Sequence, residues 1–116
     1  MRICRVETLA VMTREYLQKK QKKEVSVLIV SPIEVGEKIE ENPYGIYMGG
    51  RTAVERSRQF PKYYKEIAEK HGFGFMIGSE YAEPCDADSI HMDAGNHKKL
   101  AEAVKAKWLK CLSEMT

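Results

Sequence analysis

The sequence lacks the long apolar runs, the excess of one charge and the paired cysteines that mark several classes of protein. No apolar run approaches the ~18 residues that a membrane span needs, and the first residues contain no apolar core of a secretory signal. The 116 residues carry 19 Lys and Arg against 17 Asp and Glu, a net charge of +2. This balance argues against a nucleic-acid-binding arm or a polybasic membrane anchor. We therefore expect a cytoplasmic protein with no nucleic-acid or membrane partner.

Repeats and low-complexity segments are also absent, and the cysteines have no pairing pattern. Cys4, Cys85 and Cys111 are odd in number and show no C-x-x-C spacing, so we expect reduced thiols. Hydrophobic residues make up 43% and charged residues 31% of the chain, which is a globular composition. The length fits a single domain.

Apolar periodicity predicts three helices and two strands in the order α-β-α-β-α. Side chains at 3–17, at 54–68 and after Asp93 repeat every three or four positions, and the last pattern places Trp108 and Leu112 in a core stripe with Leu100, Ala101, Val104 and Cys111. Residues 25–30 and 73–77 are short apolar runs typical of strands buried in a parallel sheet. Crossovers of this kind predict helices on both faces of the sheet.

The segment before and within the second helix carries specific local signals. Residues 32–51 predict a long loop with a short helical turn around 35–39. Thr52 and Glu55 have the spacing of a capping box at a helix start. Pro61 predicts a kink or a restart, and Gly72 is placed to end the helix.

Two strands cannot cover three apolar helix stripes, and both outer strand edges would remain open. Doubly wound sheets usually contain five strands or more. We therefore expect another chain or an N-terminal portion to complete the sheet. A homodimer, with or without domain swapping, is the simplest such assembly.

The densest polar cluster lies at residues 85–93, between a strand and a helix, where ligands bind in open α/β sheets. Asp88 precedes His91 by three, so its carboxylate can reach the imidazole Nδ1 as the orienting acid of a base. Two other readings are an ordinary loop pair and a Zn²⁺ or Mn²⁺ site that uses Asp86, Asp93 and His97 as well, although no metal-binding spacing matches. His97 is expected to lie exposed in the first turn of the last helix.

The segment Asp88-Ser-Ile-His91-Met-Asp-Ala-Gly-Asn-His97 resembles the last block of the SGNH (GDSL-type) hydrolases, D-x-x-H followed by the C-terminal helix. Residues 25–32, 57–72 and 73–79 are similar to the strands and helix that precede this block. The chain is closest to the aryl-esterase and acyltransferase-like members. The resemblance implies the C-terminal half of a three-layer α/β/α flavodoxin-like fold, with about two parallel strands and three helices.

By this resemblance Asp88 is the triad acid and His91 the base of an ester hydrolase that needs no cofactor or metal. The sequence contains neither Gly-Asp-Ser nor Gly-x-Asn-Asp, the family's nucleophile and oxyanion motifs. Residues 1–116 are thus expected to be a single partial domain that lacks the nucleophile half. If a complementing half or a second copy completed the domain, its substrate would be a small acyl ester.

Several residues have both a functional and a structural interpretation. Tyr44, Tyr47 and Met48 either line an acyl pocket or only pack the glycine-rich loop. Cys85, Ser57 and Ser79 are interpreted as structural. The alternative to an enzyme is a non-catalytic remnant that acts as a self-associating α/β module.

Overall fold

The structure is a computed structural model and describes residues 2–43 and 45–114. The element order confirms the predicted alternation of helices and strands. The helices are α1 (Arg2–Gln21), α2 (Arg51–His71) and α3 (Ala94–Ser113), and the strands are β1 (Leu28–Ser31) and β2 (Gly74–Ile77). Short 3₁₀ turns occupy Glu37–Glu41, Ile46–Met48 and Gly78–Glu80. In the described part of the chain, no helix is long and apolar enough to cross a membrane.

The two strands pair in parallel, as predicted. Leu28 lies opposite Gly74, and the register continues to Ser31 opposite Ile77. Strand β1 begins three residues later than predicted and extends one residue further, because its ladder matches the four residues of β2. Residue Val27 still contributes one bond, since its carbonyl accepts from the Gly74 N–H at 2.8 Å.

Helices lie on both faces of this sheet, which makes the fold three-layered. Ile29 packs with Ala68 and Phe73 in a core that Val6, Ala10 and Val11 of α1 also join. On the opposite face α3 approaches so closely that a Cβ at Gly74 would lie 2.8 Å from Cys111 Sγ. The α/β class and the three-layer arrangement are therefore confirmed.

Helix α2 differs from the prediction at its start. The N-cap is Gly50 and makes no side-chain cap hydrogen bond, so the predicted capping box at Thr52 and Glu55 is wrong. Glycine backbones start the helix instead, because Gly49 and Gly50 both have positive φ and their carbonyls accept the first N–H groups. The helix runs through Pro61 without a restart and ends at Gly72, which is left-handed as predicted.

The apolar stripe of α3 is less buried than predicted. Trp108 is 36% exposed and Leu112 40%, so neither is a core residue of this chain. The physical reason is the width of the sheet: its two strands reach Cys111, which is half-buried, and extend no further across the helix. Helix α1 likewise exposes Leu9, Met12 and Tyr16.

Two buried serines provide a test of how this core is stabilised. Ser31 Oγ has no hydrogen-bond partner among the described residues, whereas Ser57 Oγ accepts from the Val35 N–H at 2.9 Å and donates to the Val54 carbonyl at 2.8 Å. We expect Ser57→Ala to destabilise the fold by about 1–3 kcal/mol, because it leaves the Val35 N–H unpaired. Ser31→Ala should be neutral or stabilising. Urea unfolding of both variants measures this, and equal losses would contradict it.

Candidate functional site

Asp88 and His91 are in direct contact at the surface of the loop that joins β2 to α3. His91 Nδ1 lies 2.5 Å from Asp88 Oδ2, so the expected reach of the carboxylate to the imidazole is present. The His91 side chain is 80% exposed and that of Asp88 32%. The carboxylate is thus half enclosed by the loop, while the ring stays accessible to a reacting group.

The loop folds around the Asp88 carboxylate. Its Oδ1 accepts from the backbone N–H of Ile90 and of His91, both at 2.9 Å. Ser89 adopts a φ of 62°, which turns the chain between these groups. The loop closes where the Cys85 N–H donates to the His91 carbonyl at 2.7 Å. One oxygen of Asp88 therefore shapes the backbone and the other holds the ring.

These contacts keep Asp88 ionised. The hydrogen bond from His91, followed by those from the Ile90 and His91 backbone, holds the pKa of the Asp88 carboxyl well below its usual range. An ionised carboxylate only accepts, so His91 Nδ1 must carry the proton. In a neutral ring, Nε2 then has a lone pair that can take a proton from a nucleophile.

The segment before α2 braces this loop from outside. The Gly36 N–H donates to the Ser89 carbonyl at 2.8 Å, and the Asn42 side-chain amide donates to the Asp88 carbonyl at 2.9 Å. Lys38 forms an exposed ion pair with Asp86 at 3.4 Å. Sequence reasoning missed this brace, because contacts between residues 46 positions apart leave no local signal.

Helix α3 fixes the other end of the loop. Asp93 caps it, with Oδ1 accepting from the Asn96 N–H at 2.8 Å, as predicted. Asn96 is buried and its Oδ1 accepts from the Glu83 N–H at 3.0 Å, a tie that the sequence did not indicate. These contacts with Asn96 also lower the pKa of Asp93. His97 is exposed in the first turn, as expected.

The predicted pocket residues are not beside the His91 side chain. Tyr44 lies outside the described residues. Tyr47 and Met48 are 87% and 49% exposed and line a groove between their loop and α2. His91 borders a different cavity, with Val30, Met92 and Leu100. Ile90 contributes to both, so the two concavities meet at the residue before His91.

Of the five candidate metal ligands, Asp88 and His91 are in contact, at 2.5 Å. Within the described residues, no group of three His, Cys, Asp or Glu side chains is placed to hold a metal ion. Cys85 and Cys111 are unpaired thiols, and the side chain of Cys4 lies outside the described part. Cys85 Sγ lies 3.6 Å from Asp88 Oδ1, within reach of a weak hydrogen bond.

Solved structures of esterases share this fold. A proposed arylesterase from Agrobacterium tumefaciens str. C58 superposes with a TM-score of 0.78 at 23% identity, over 94% of this chain and 50% of its own. A carbohydrate acetylesterase family member from Sinorhizobium meliloti gives a TM-score of 0.67 at 23% identity, over 78% of this chain and 41% of its own. A further crystal structure is 33% identical over 76% of this chain and 39% of its own, with a TM-score of 0.66.

The chain therefore has the α/β fold of these structures and spans about half of their length or less. No protein-family model matches the sequence, and no curated protein matches it.

The brace on Ser89 can be tested by a double-mutant cycle. A Cβ at Gly36 would lie 2.9 Å from Ser89 Cβ, so Gly36→Ala should destabilise the fold by about 1–3 kcal/mol through overpacking. Ser89→Gly removes Cβ and Oγ, the two nearest of the close atoms, at a positive φ that glycine accepts. The double variant should recover much of the loss in thermal unfolding. Additive losses would contradict a steric clash between Gly36→Ala and the Ser89 side chain.

The carboxylate network predicts a specific dependence of stability on pH. Because the folded pKa of Asp88 is lowered, its contribution is complete above the unfolded value of about 4 and is lost as the pH falls below it. The difference in unfolding free energy between wild type and Asp88→Asn should thus shrink from pH 5 toward pH 2. Asp86→Asn, which removes only a surface ion pair, is the matched control. A difference that stays constant would contradict the assignment.

Proposed function

We propose that this chain is the C-terminal portion of an SGNH-type carboxylic-ester hydrolase, with Asp88 as the triad acid and His91 as the base. The observation that carries the proposal is the hydrogen bond of 2.5 Å between His91 Nδ1 and an ionised Asp88, on an otherwise exposed ring. The esterase folds of the similar structures support it. The D-x-x-H segment in the loop before α3 adds the family resemblance.

The proposed reaction is acyl transfer through a serine outside these 116 residues. His91 Nε2 takes the serine proton as Oγ attacks the ester carbonyl, and it then returns this proton to the leaving alcohol. Water, activated in the same way, attacks the acyl-serine carbonyl, and His91 returns the second proton to the serine. Asp88 holds the Nδ1–H tautomer and stabilises the imidazolium that forms in each step. Neither step uses a metal or an organic cofactor.

The missing groups must come from a partner or from further sequence. Residues 1–116 contain no Gly-Asp-Ser and no Gly-x-Asn-Asp segment to provide the serine and the oxyanion donors. We propose that a complementing polypeptide or a second copy packs on the open sheet. The exposed Trp108, Leu109 and Leu112 of α3 are suited to such an apolar contact.

Hydrolysis of p-nitrophenyl acetate tests the assignment. Residues 1–116 alone should act barely above free imidazole, because the serine and the oxyanion hole are both missing. Adding a polypeptide with the Gly-Asp-Ser and Gly-x-Asn-Asp half should raise turnover. In that complex His91→Ala should abolish the gain, and Asp88→Asn should lower it about 10⁴-fold by releasing the tautomer. His97→Ala changes an exposed histidine in the first turn of α3 and is the control, which should retain the gain.

Strong activity of the chain alone that survives His91→Ala would refute this site.

The second candidate is a non-catalytic, self-associating α/β module, which the exposed apolar residues of α1 and α3 favour. For that module, no complementing half should restore turnover, and sedimentation should show a dimer that dissociates on dilution.

A further inference from the structure

The groove beside Tyr47 and Met48 has the composition of a binding site for an amphipathic ligand. Its loop wall contains Ile39 and Met48, and its helix wall contains Phe60 and Tyr63 of α2. Phe60 is held in place by stacking on Tyr64, with ring centroids 5.8 Å apart. These side chains form a fixed apolar and aromatic surface, which suits the hydrocarbon part of a small molecule.

The charge in this groove is of one sign. Arg56 lines it, and none of the residues that line it is acidic. The neighbouring arginines are neutralised, since Arg58 pairs with Glu34 and Glu37 and Arg51 pairs with Glu37. Within the described residues, Arg56 forms no such ion pair. Arg56 is therefore the charged residue of this lining, while Lys62 lies outside it with Nζ 5.7 Å from the centroid of the Tyr63 ring.

The groove also reaches the proposed catalytic pair. Ile90, which lines the groove, donates its N–H to Asp88 Oδ1 and is followed directly by His91. A ligand in this groove that contacts Ile90 therefore lies against the residue next to His91. A guanidinium binds carboxylates in a planar, bidentate geometry.

We propose that Arg56 determines specificity by binding a carboxylate on the substrate, with Phe60 and Tyr63 packing on an apolar or aromatic spacer between this carboxylate and the ester. This inference rests on the proposed function. It narrows the substrate class from small acyl esters in general to esters that carry a second, anionic end.

The test measures binding to residues 1–116, without turnover. The probes are 3-phenylpropionate and its neutral analogue 3-phenylpropan-1-ol, each titrated into ¹⁵N-labelled protein and followed by amide chemical shifts. The carboxylate should bind at least about fivefold more tightly, the equivalent of one exposed ion pair. Added salt should reduce this preference. The shifts should include the amides of Phe60, Tyr63 and Ile90.

Two arginines on one helix provide the matched comparison. Arg56→Gln should abolish the preference for the carboxylate and leave the alcohol unchanged, whereas Arg58→Gln should keep the preference. Phe60→Ala should weaken both probes to a similar extent. Circular dichroism confirms that each variant is folded. Equal affinity for the two probes, no binding of either, or a preference that survives Arg56→Gln would overturn the proposal.

The two proposals fail separately. Binding of the two probes involves no acyl transfer, so the binding test gives its result independently of the catalytic role proposed for His91. If the protein prefers the carboxylate probe but turnover of the complemented complex does not depend on His91, the catalytic assignment is wrong and the proposal for Arg56 stands. If turnover depends on His91 but Arg56 gives no preference for the carboxylate probe, only the proposal for Arg56 is wrong.

Discussion

The Asp88 carboxylate is the constraint on which the rest of the site depends. A carboxylate that only oriented a histidine could swing on its own bond, and the imidazole would swing with it. Here Oδ1 is fixed by two backbone N–H groups and Oδ2 faces the ring, so the position of His91 follows from the backbone itself. The same bonds that lower the pKa of Asp88 make the loop conformation depend on its charge. The orientation of the His91 ring and the conformation of the loop therefore depend on the same carboxylate.

A second histidine and carboxylate in this chain show why contact alone does not identify a catalytic pair. His71 Nε2 lies 2.7 Å from Glu7 Oε2, and Lys70 shares the same oxygen at 3.2 Å. The pKa of Glu7 is lowered, chiefly by His71 and then by Lys70. However, the His71 side chain is only 21% exposed and stacks on Phe73, and its carbonyl accepts from Arg14 of α1. This pair attaches α1 to the end of α2. The two pairs have similar distances, and exposure of the ring separates a candidate base from a structural tie.

Sequence reasoning succeeded where the signal is local. Helical periodicity, the left-handed Gly72, the Asp93 cap and the reach of Asp88 to His91 each depend on residues within one or two turns, and the structure contains all of them. Sequence reasoning failed where the local structure depends on an element that is distant in the sequence. The capping box at Thr52 was displaced by the glycine turn before it, and the burial of Trp108 depends on how far a sheet extends beneath it. Asn42 and Gly36 reach the site from across the chain, so no periodicity could reveal them.

The polar groups of the His91 loop have their hydrogen-bond partners, whereas the apolar side chains of the helices are only partly buried. The loop that presents His91 finds its hydrogen-bond partners within the described chain, from Gly36, Asn42 and Asn96. The apolar surface is not covered in the same way, since α1 exposes Leu9 and Met12 and α3 exposes Leu109. Hydrogen bonds are short-ranged and directional, so a loop and its braces can satisfy them locally. Burial grows with area, and a sheet of two four-residue strands provides too little of it for three helices. The hydrogen-bonded geometry around Asp88 and His91 is thus formed within the described residues, while apolar side chains of α1 and α3 stay exposed.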